Sequence, residues 1–283
     1  MALNYQHLIN LRWPERTFTY TEDDTILYAV GVGMGREPGD LRYVYERGLA
    51  ALPTLATVIA WDDTWQEDTG MTIEKIVHGE MRVTLHRPLE PRGTVISSHR
   101  IVDVFDKGPT RGAVLLAETR LRDPRDRPVA TLLSTVMARG DGGFGGPAGK
   151  GPAPRLVPER APDLTARSGI RPEQALIYRL SGDRNPLHVD PAVASAAGFD
   201  RPILHGLCSY GVATAGIVRE LCPDDAGRIT HVEARFTAPV VPGDTLVTDI
   251  WRAPGGAHFR SRVASDDGVV LDNGYVEISN LKG

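Results

Sequence analysis

An acid, an amide and an imidazole fall within six residues of one another in the stretch YRLSGDRNPLHVD, from Tyr178 to Asp190: Asp183, Asn185 and His188. A carboxylate and an imidazole facing one cavity can hold a water molecule between them. Imidazole, with an ordinary pKa near ~6.5, serves as acid or base around neutrality. An ionised aspartate orients that water or accepts its proton, and a neighbouring amide takes the remaining hydrogen bond. Each residue also has a plainer use, since Asp-x-Asn-Pro is a favoured turn sequence and a single histidine is commonly structural. A serine-hydrolase triad fits less well, because no serine occupies a G-x-S-x-G elbow; Ser181 and Ser209 read as turn and helix residues.

Just downstream, RPILHGLCSYGVA from Arg201 to Ala213 opens an apolar segment that predicts a helix over Leu204 to Leu221, punctuated by Gly206, Gly211 and Gly216. Glycine costs about 1 kcal/mol inside a helix, so a helix with three is expected to be buried against a close neighbour. At the helix start the Gly206 N–H has no intrahelical partner, and the helix dipole favours negative charge there. An oxygen gaining charge in a transition state can rest on that amide. Close packing is the plainer explanation of the same glycine.

The elements that must position these groups come in two copies. Tyr28 in ILYAVGVG falls opposite Tyr178, Leu52-Pro53-Thr54-Leu55 opposite Leu204-His205-Gly206-Leu207, and Pro88-Leu89-Glu90-Pro91 opposite Pro239-Val240-Val241-Pro242. Three landmarks in one order point to an internal duplication. The first copy carries Gly33 and Gly35 where the second has Asp183 and Asn185. If capping a turn were the whole task, both copies would need the polar groups; one half is equipped and the other stripped.

Each half reads helix first and strands later. Thr21 with Asp24 predicts a capped helix through Tyr28. GEMRVTLHRPL, GTVISSHRIVDVF, GAVLLAETRLRD and ATLLSTVMAR read as strands of the first half, and HVEARFTAPVV, DTLVTDIWRA, HFRSRVAS and NGYVEIS as those of the second. Glycine and proline dominate Arg139 to Asp163, which predicts a linker (139–163) between an N-terminal repeat (1–138) and a C-terminal one (164–283). The expected class is α+β: an antiparallel sheet wrapped around one buried helix, made twice.

A chain of 283 residues accommodates two such units. With a net charge of −4 and no basic block, it offers no nucleic-acid surface. No apolar run approaches the ~20 residues of a membrane span, and the N-terminus lacks the pattern of a secretory signal. Cys208 and Cys222, the only cysteines, read as reduced, packed thiols of an intracellular protein. Neither forms a zinc-like cluster with histidine, so no metal is expected.

The segment YRLSGDRNPLHVDPAVASAAGFDRPILHGLCSYG resembles the hydratase motif of MaoC-like, (R)-specific enoyl-CoA hydratases. TYTEDDTILYAVGVG, DLRYVYE, LPTLATVIA, KIVHGEMRVTLHRPL, DVFDKG, GGFGG and RFTAPVVPGDTL extend the resemblance over nearly the whole chain, in the two-halved length of the type 2 hydratases. It implies a double hot-dog fold with one long helix per half, and addition of water to a trans-2-enoyl-CoA to give the (3R)-3-hydroxyacyl-CoA. Asp183 and His188 match the pair that holds the water, Asn185 the supporting polar residue, and Gly206 the amide that polarises the thioester carbonyl. Which of Asp183 and His188 carries which proton stays open. The stripped first half, with its small residues in AVGVGMG, is expected to make room for the acyl chain.

Glu46 matches a glutamate of the family's first half, and Lys107 and the loop around Phe144 are placed against coenzyme A. A solvated charge, a surface lysine and a linker phenylalanine are their plainer readings. His78 and Glu80 are expected to lead into a strand without a ligand role, and His205 to pack beside the cavity without transferring protons. No metal or redox cofactor is expected, coenzyme A being part of the substrate. A homodimer is expected. No dehydrogenase or sterol-carrier segment follows and the C-terminus is not Ser-Lys-Leu, which suggests a stand-alone cytoplasmic enzyme. The competing functions are a hot-dog acyl-CoA thioesterase, revealed by release of free thiol, and a silent acyl-CoA-binding module.

Overall fold

In the computed structural model, which describes residues 3–279, the first half contributes β1 (Arg16–Tyr20), β2 (Ile76–Leu85), β3 (Gly93–Asp106), β4 (Ala113–Arg122) and β5 (Pro128–Ala138). The second contributes β6 (Leu164–Gly169), β7 (Ile229–Phe236), β8 (Thr245–Ala253), β9 (Gly256–Val263) and β10 (Val269–Ile278). All ten join one sheet in the order β1-β3-β4-β5-β2-β7-β10-β9-β8-β6. Read outward from the antiparallel β2–β7 pair, both halves run through equivalent strands in the same sequence. The duplication in the sequence is thus a duplication of topology, joined at the centre of the sheet. Strand periodicity explains the inner face: along β9, Ala257, Phe259, Ser261 and Val263 are buried while their neighbours are only partly covered.

The helices are α1 (Tyr5–Asn10), α2 (Glu22–Gly31), α3 (Leu41–Val44), α4 (Gln174–Tyr178), α5 (Pro191–Ala196) and α6 (Gly206–Leu221). Thr21 and Asp24 form the expected capping box at the start of α2. In α6 every residue from Leu207 to Val218 is buried. A Cβ on Gly211 would lie 2.5 Å from Val32 Cγ1, and one on Gly216 3.1 Å from Ala166 Cβ, so these two glycines let α2 and the β6 edge press against the helix. At its far end Arg219 forks onto the buried Asp40 carboxylate, with both contacts at 2.9 Å. Asp40 also accepts the N–H groups of Gly35, Arg36 and Glu37.

Three features differ from the sequence reading. Among the described residues the first half has no long central helix: opposite α6 stands a five-residue 3-10 turn, Pro53–Thr57. Proline starts that turn, and β-branched Thr54, Thr57, Val58 and Ile59 disfavour its extension as α-helix. Two further strands, β1 and β6, line the outer edges of the sheet. And the small residues of AVGVGMG serve packing, since Ala29, Val32 and Met34 are core residues and Gly31 backs onto Tyr178.

Among the described residues 139–163 hold no helix or strand, yet they are pinned to the sheet. Arg155 pairs with the buried Glu233 at 3.3 Å and lies over the Tyr275 ring. Trp251 Nε1 donates to the Arg160 carbonyl at 2.8 Å. Both cysteines are free and buried. No helix among the described residues is long and apolar enough to cross a membrane. Residues 280–283, on which the expectation about a peroxisomal signal rests, lie outside the described residues.

Candidate active site

The motif unfolds as a series of short turns, the later ones closed by the side chains of Asp183 and Asn185. α4 runs into a 3-10 turn, Arg179–Ser181, and the chain reverses at Gly182 with φ 142°. A Cβ there would stand 2.7 Å from Trp61 Cβ of the first half, so glycine is required twice over. Asp183 Oδ1 then accepts the Asn185 N–H at 3.0 Å, and Asn185 Oδ1 accepts the Leu187 N–H at 3.0 Å, starting the 3-10 turn Pro186–His188. The turn-making role of Asp and Asn is therefore real. It occupies one oxygen of Asp183 and leaves Oδ2 for other work.

These turns bring His188 and His205 together with Asp183. A carboxylate oxygen of Asp183 and one ring nitrogen from each histidine lie within 4.8 Å of one another. His188 Nδ1 donates to the Ile203 carbonyl at 2.9 Å, which fixes the tautomer and makes Nε2 the proton acceptor. The two imidazoles stack, centroids 3.7 Å apart and planes inclined by 30°. By type the trio is a ligand set. Two of its ring nitrogens are already engaged, His188 Nδ1 by the Ile203 carbonyl and His205 Nε2 by the Asp183 carbonyl.

Burial dominates the electrostatics. It pushes the Asp183 carboxyl above the ordinary carboxylate range, against the opposing pull of the Asn185 N–H and His188. It pushes His188 below its ordinary value, against the Ile203 carbonyl and Asp183. His205 is pushed down to about 3, by burial first and then by His188. At neutral pH the two rings are accordingly uncharged, and their stacking carries no like-charge cost.

Gly206 is the first residue of α6, with His205 as the cap residue before it and no side chain capping the helix. Its N–H therefore lies ahead of the intrahelical ladder, at the positive end of a sixteen-residue helix. A Cβ at Gly206 would come within 3.3 Å of the Phe236 ring. The same ring lies tilted against His78, centroids 4.8 Å apart. His78, pushed down to about 4 by burial, shares a 2.9 Å hydrogen bond with Ser134, and Glu80 binds Arg82. Both His78 and Glu80 lie inside β2.

The remaining sequence candidates sit in other surroundings. Asn185 is exposed, with its side-chain oxygen committed to the turn. Glu46 is exposed beyond α3. The Lys107 amine is held by the Gly149 carbonyl. Phe144 packs on a second apolar cluster containing Trp65 and Val104, while Asp106 binds the N–H groups of Gly143 and Gly145 around it. The structure thus brings together Asp183, His188 and the start of α6, and adds groups the sequence reading left aside. His205 stacks on His188, and its Nε2 donates to the Asp183 carbonyl at 3.2 Å. Adjacency to Gly206 was the available signal for His205. Trp61, which backs Gly182, had none.

A ten-stranded sheet of two topologically equivalent halves, closed around one buried helix whose N-terminus meets an Asp–His pair, defines a double hot-dog with its candidate site in the second half. Residues 155–272 match the model of the MaoC like domain, and residues 18–140 that of the MFE-2 hydratase 2 N-terminal domain. The chain is 45% identical to 3-hydroxyacyl-thioester dehydratase Y of Mycobacterium tuberculosis, covering 92% of this chain and 93% of that protein. It is 39% identical to enoyl-CoA hydratase ChsH3 of the same organism, covering 89% and 90%. A solved MaoC-like dehydratase from Phytophthora capsici superposes with a TM-score of 0.89 at 34% identity, over 98% of this chain and 99% of that one. The chain belongs to the MaoC-like family of hydratases and dehydratases.

Proposed function

We propose that this enzyme reversibly hydrates trans-2-enoyl-CoA thioesters to (3R)-3-hydroxyacyl-CoA, as a hydro-lyase of fatty-acyl or steroid side-chain breakdown. The observation that carries the reading is the convergence of Asp183 and His188 at the start of α6. A water molecule held between Asp183 Oδ2 and His188 Nε2 gives a proton to one of the pair as its oxygen bonds to C3, and the pair returns that proton to C2, so one water is added across the double bond and both groups recover their starting charge. The neutral His188, fixed through Ile203, suits the base in that exchange. The thioester oxygen gains charge in the transition state and rests on the Gly206 N–H. The acyl group enters the first half, where one 3-10 turn stands in place of a long helix.

Coenzyme A is part of the substrate in this reading, and no metal is needed; full activity after exhaustive chelation and dialysis is the expected result. A homodimer is proposed with it. Leu176 and Leu180, one turn apart, and Leu41 and Tyr45 expose 47–61% of their surface, which favours a covered face; sedimentation velocity decides. A cytoplasmic location is the companion proposal, checked by cell fractionation. The reaction is tested by loss of enoyl absorbance from trans-2-enoyl-CoAs of increasing chain length, with chiral analysis of the product. A (3S) product, or free thiol without hydration, would overturn it.

A further inference from the structure

Behind the Asp–His pair lies a line of buried polar atoms that the proposed reaction does not use. The hydroxyls of Tyr28, Tyr178 and Thr54 and Nδ1 of His205 are buried without a hydrogen-bond partner, and each of the four residues is at most 1% exposed. They are contiguous. His205 stacks on His188 at 3.7 Å, the Tyr178 ring lies 5.0 Å from His205, and the Tyr28 ring 6.1 Å from Tyr178. The Tyr28 hydroxyl faces the side chains of Thr54 and Thr57. Two of the residues come from each half, so the line follows the seam between the repeats, and its tyrosines are the duplicated landmarks of the sequence.

Buried donors and acceptors find partners in folded proteins, and where side chains do not supply them ordered water does. Because His205 Nε2–H is committed to the Asp183 carbonyl, its Nδ1 is a bare lone pair that requires a donor. The Tyr178 ring packs directly beside His205, centroids 5.0 Å apart, and its buried hydroxyl likewise lacks a partner.

We propose that Tyr28, Thr54, Tyr178 and His205 bind a buried cluster of ordered water in the seam, and that this cluster makes His205 a positioning residue. Water donating to Nδ1 holds the ring face-on to His188 while Nε2–H holds the backbone of Asp183. His205 thereby sets the separation of the two groups between which the reacting water sits. This rests on the reading of Asp183 and His188 as the reacting pair.

The test combines diffraction and kinetics on the full chain. A crystal structure of the unliganded protein is expected to show water within hydrogen-bond distance of Tyr178 Oη and His205 Nδ1. Tyr178→Phe and Thr54→Val keep the packing and remove only the hydroxyls. Each is expected to melt like the wild type, lose density from the seam, and lower kcat about tenfold or more while KM changes less than about twofold, the scale of a small misplacement of reacting groups. A dry seam, or unchanged kcat in Tyr178→Phe, would overturn the proposal. If the wild-type protein hydrates no enoyl thioester, the reaction assigned above falls, and the density alone then decides the water site.

Discussion

Asp183→Asn separates what the carboxylate does for folding from what it does for chemistry. Asparagine retains Oδ1, so the 3.0 Å bond from the Asn185 N–H and the turn it closes survive. What disappears is a half-buried ionisable group beside His188. Burial raises the folded-state pKa of this carboxyl. Its contribution to stability is therefore full below the ordinary carboxyl range and lost as pH rises through the raised value. Above the ordinary carboxyl range the wild-type protein carries a penalty for the ionised carboxylate that the variant does not. We expect the variant to be more stable by about 1 kcal/mol, a rise in Tm of roughly 2 °C for a chain of this size. The advantage should fade on acidification and be gone below the ordinary carboxyl range, where both side chains are neutral in the folded and unfolded states. Turnover should move the other way and fall at least ~100-fold, about 2.7 kcal/mol of barrier. Calorimetry across pH and the enoyl-absorbance assay read the two effects on one sample. Near-normal turnover, or a Tm that drops at pH 7, would refute the argument.

Gly206→Pro removes the N–H at the first helical position, where proline is tolerated, and the preceding His205 already has the extended backbone proline requires (φ −55°, ψ 135°). We expect a folded protein with kcat lowered about 10²–10³-fold, while Gly206→Ala, which keeps the N–H, loses far less; equal losses would remove the amide from the mechanism. Gly182→Ala forces a Cβ to 2.7 Å from Trp61 Cβ at φ 142° and should cost about 2–4 kcal/mol in urea unfolding, together with activity. Asp40→Ala leaves Arg219 and three backbone N–H groups without their acceptor and should cost about 3–5 kcal/mol. Burial works to raise the Asp40 carboxyl, but Arg219 and the backbone donors outweigh it and hold it low. Its stabilisation is thus present above the ordinary carboxyl range and lost as pH falls through the depressed value; a difference between variant and wild type that persists into strong acid would contradict this.

The sequence alone determined whatever depends on local pattern. Strand-like segments set apart by turn signals gave the four long strands of each half, Thr21 and Asp24 the start of α2, and the three glycines the buried character of α6. The spacing of Asp183, Asn185 and His188 singled out the second half as the candidate site, and the repeated landmarks anticipated the doubled sheet. Edge strands β1 and β6 escaped because each is short and bonded to the sheet on one side only, which leaves a weak alternation. The missing first-half helix was hidden by the match of Leu52–Leu55 to Leu204–Leu207; the loss follows from Pro53 and β-branched residues that no landmark weighs.

The site's electrostatics belonged to the tertiary structure. Nothing local says that His205 stacks on His188, that Ile203 fixes the His188 tautomer, or that Trp61 of the other half backs Gly182. The pKa values of Asp183 and His188 are set by burial at a seam where two halves meet, and burial is a property of packing between residues far apart in sequence. Sequence fixes which groups are present and which turns they make. Only the closed sheet decides how dry their surroundings are, and therefore which protons they can hold.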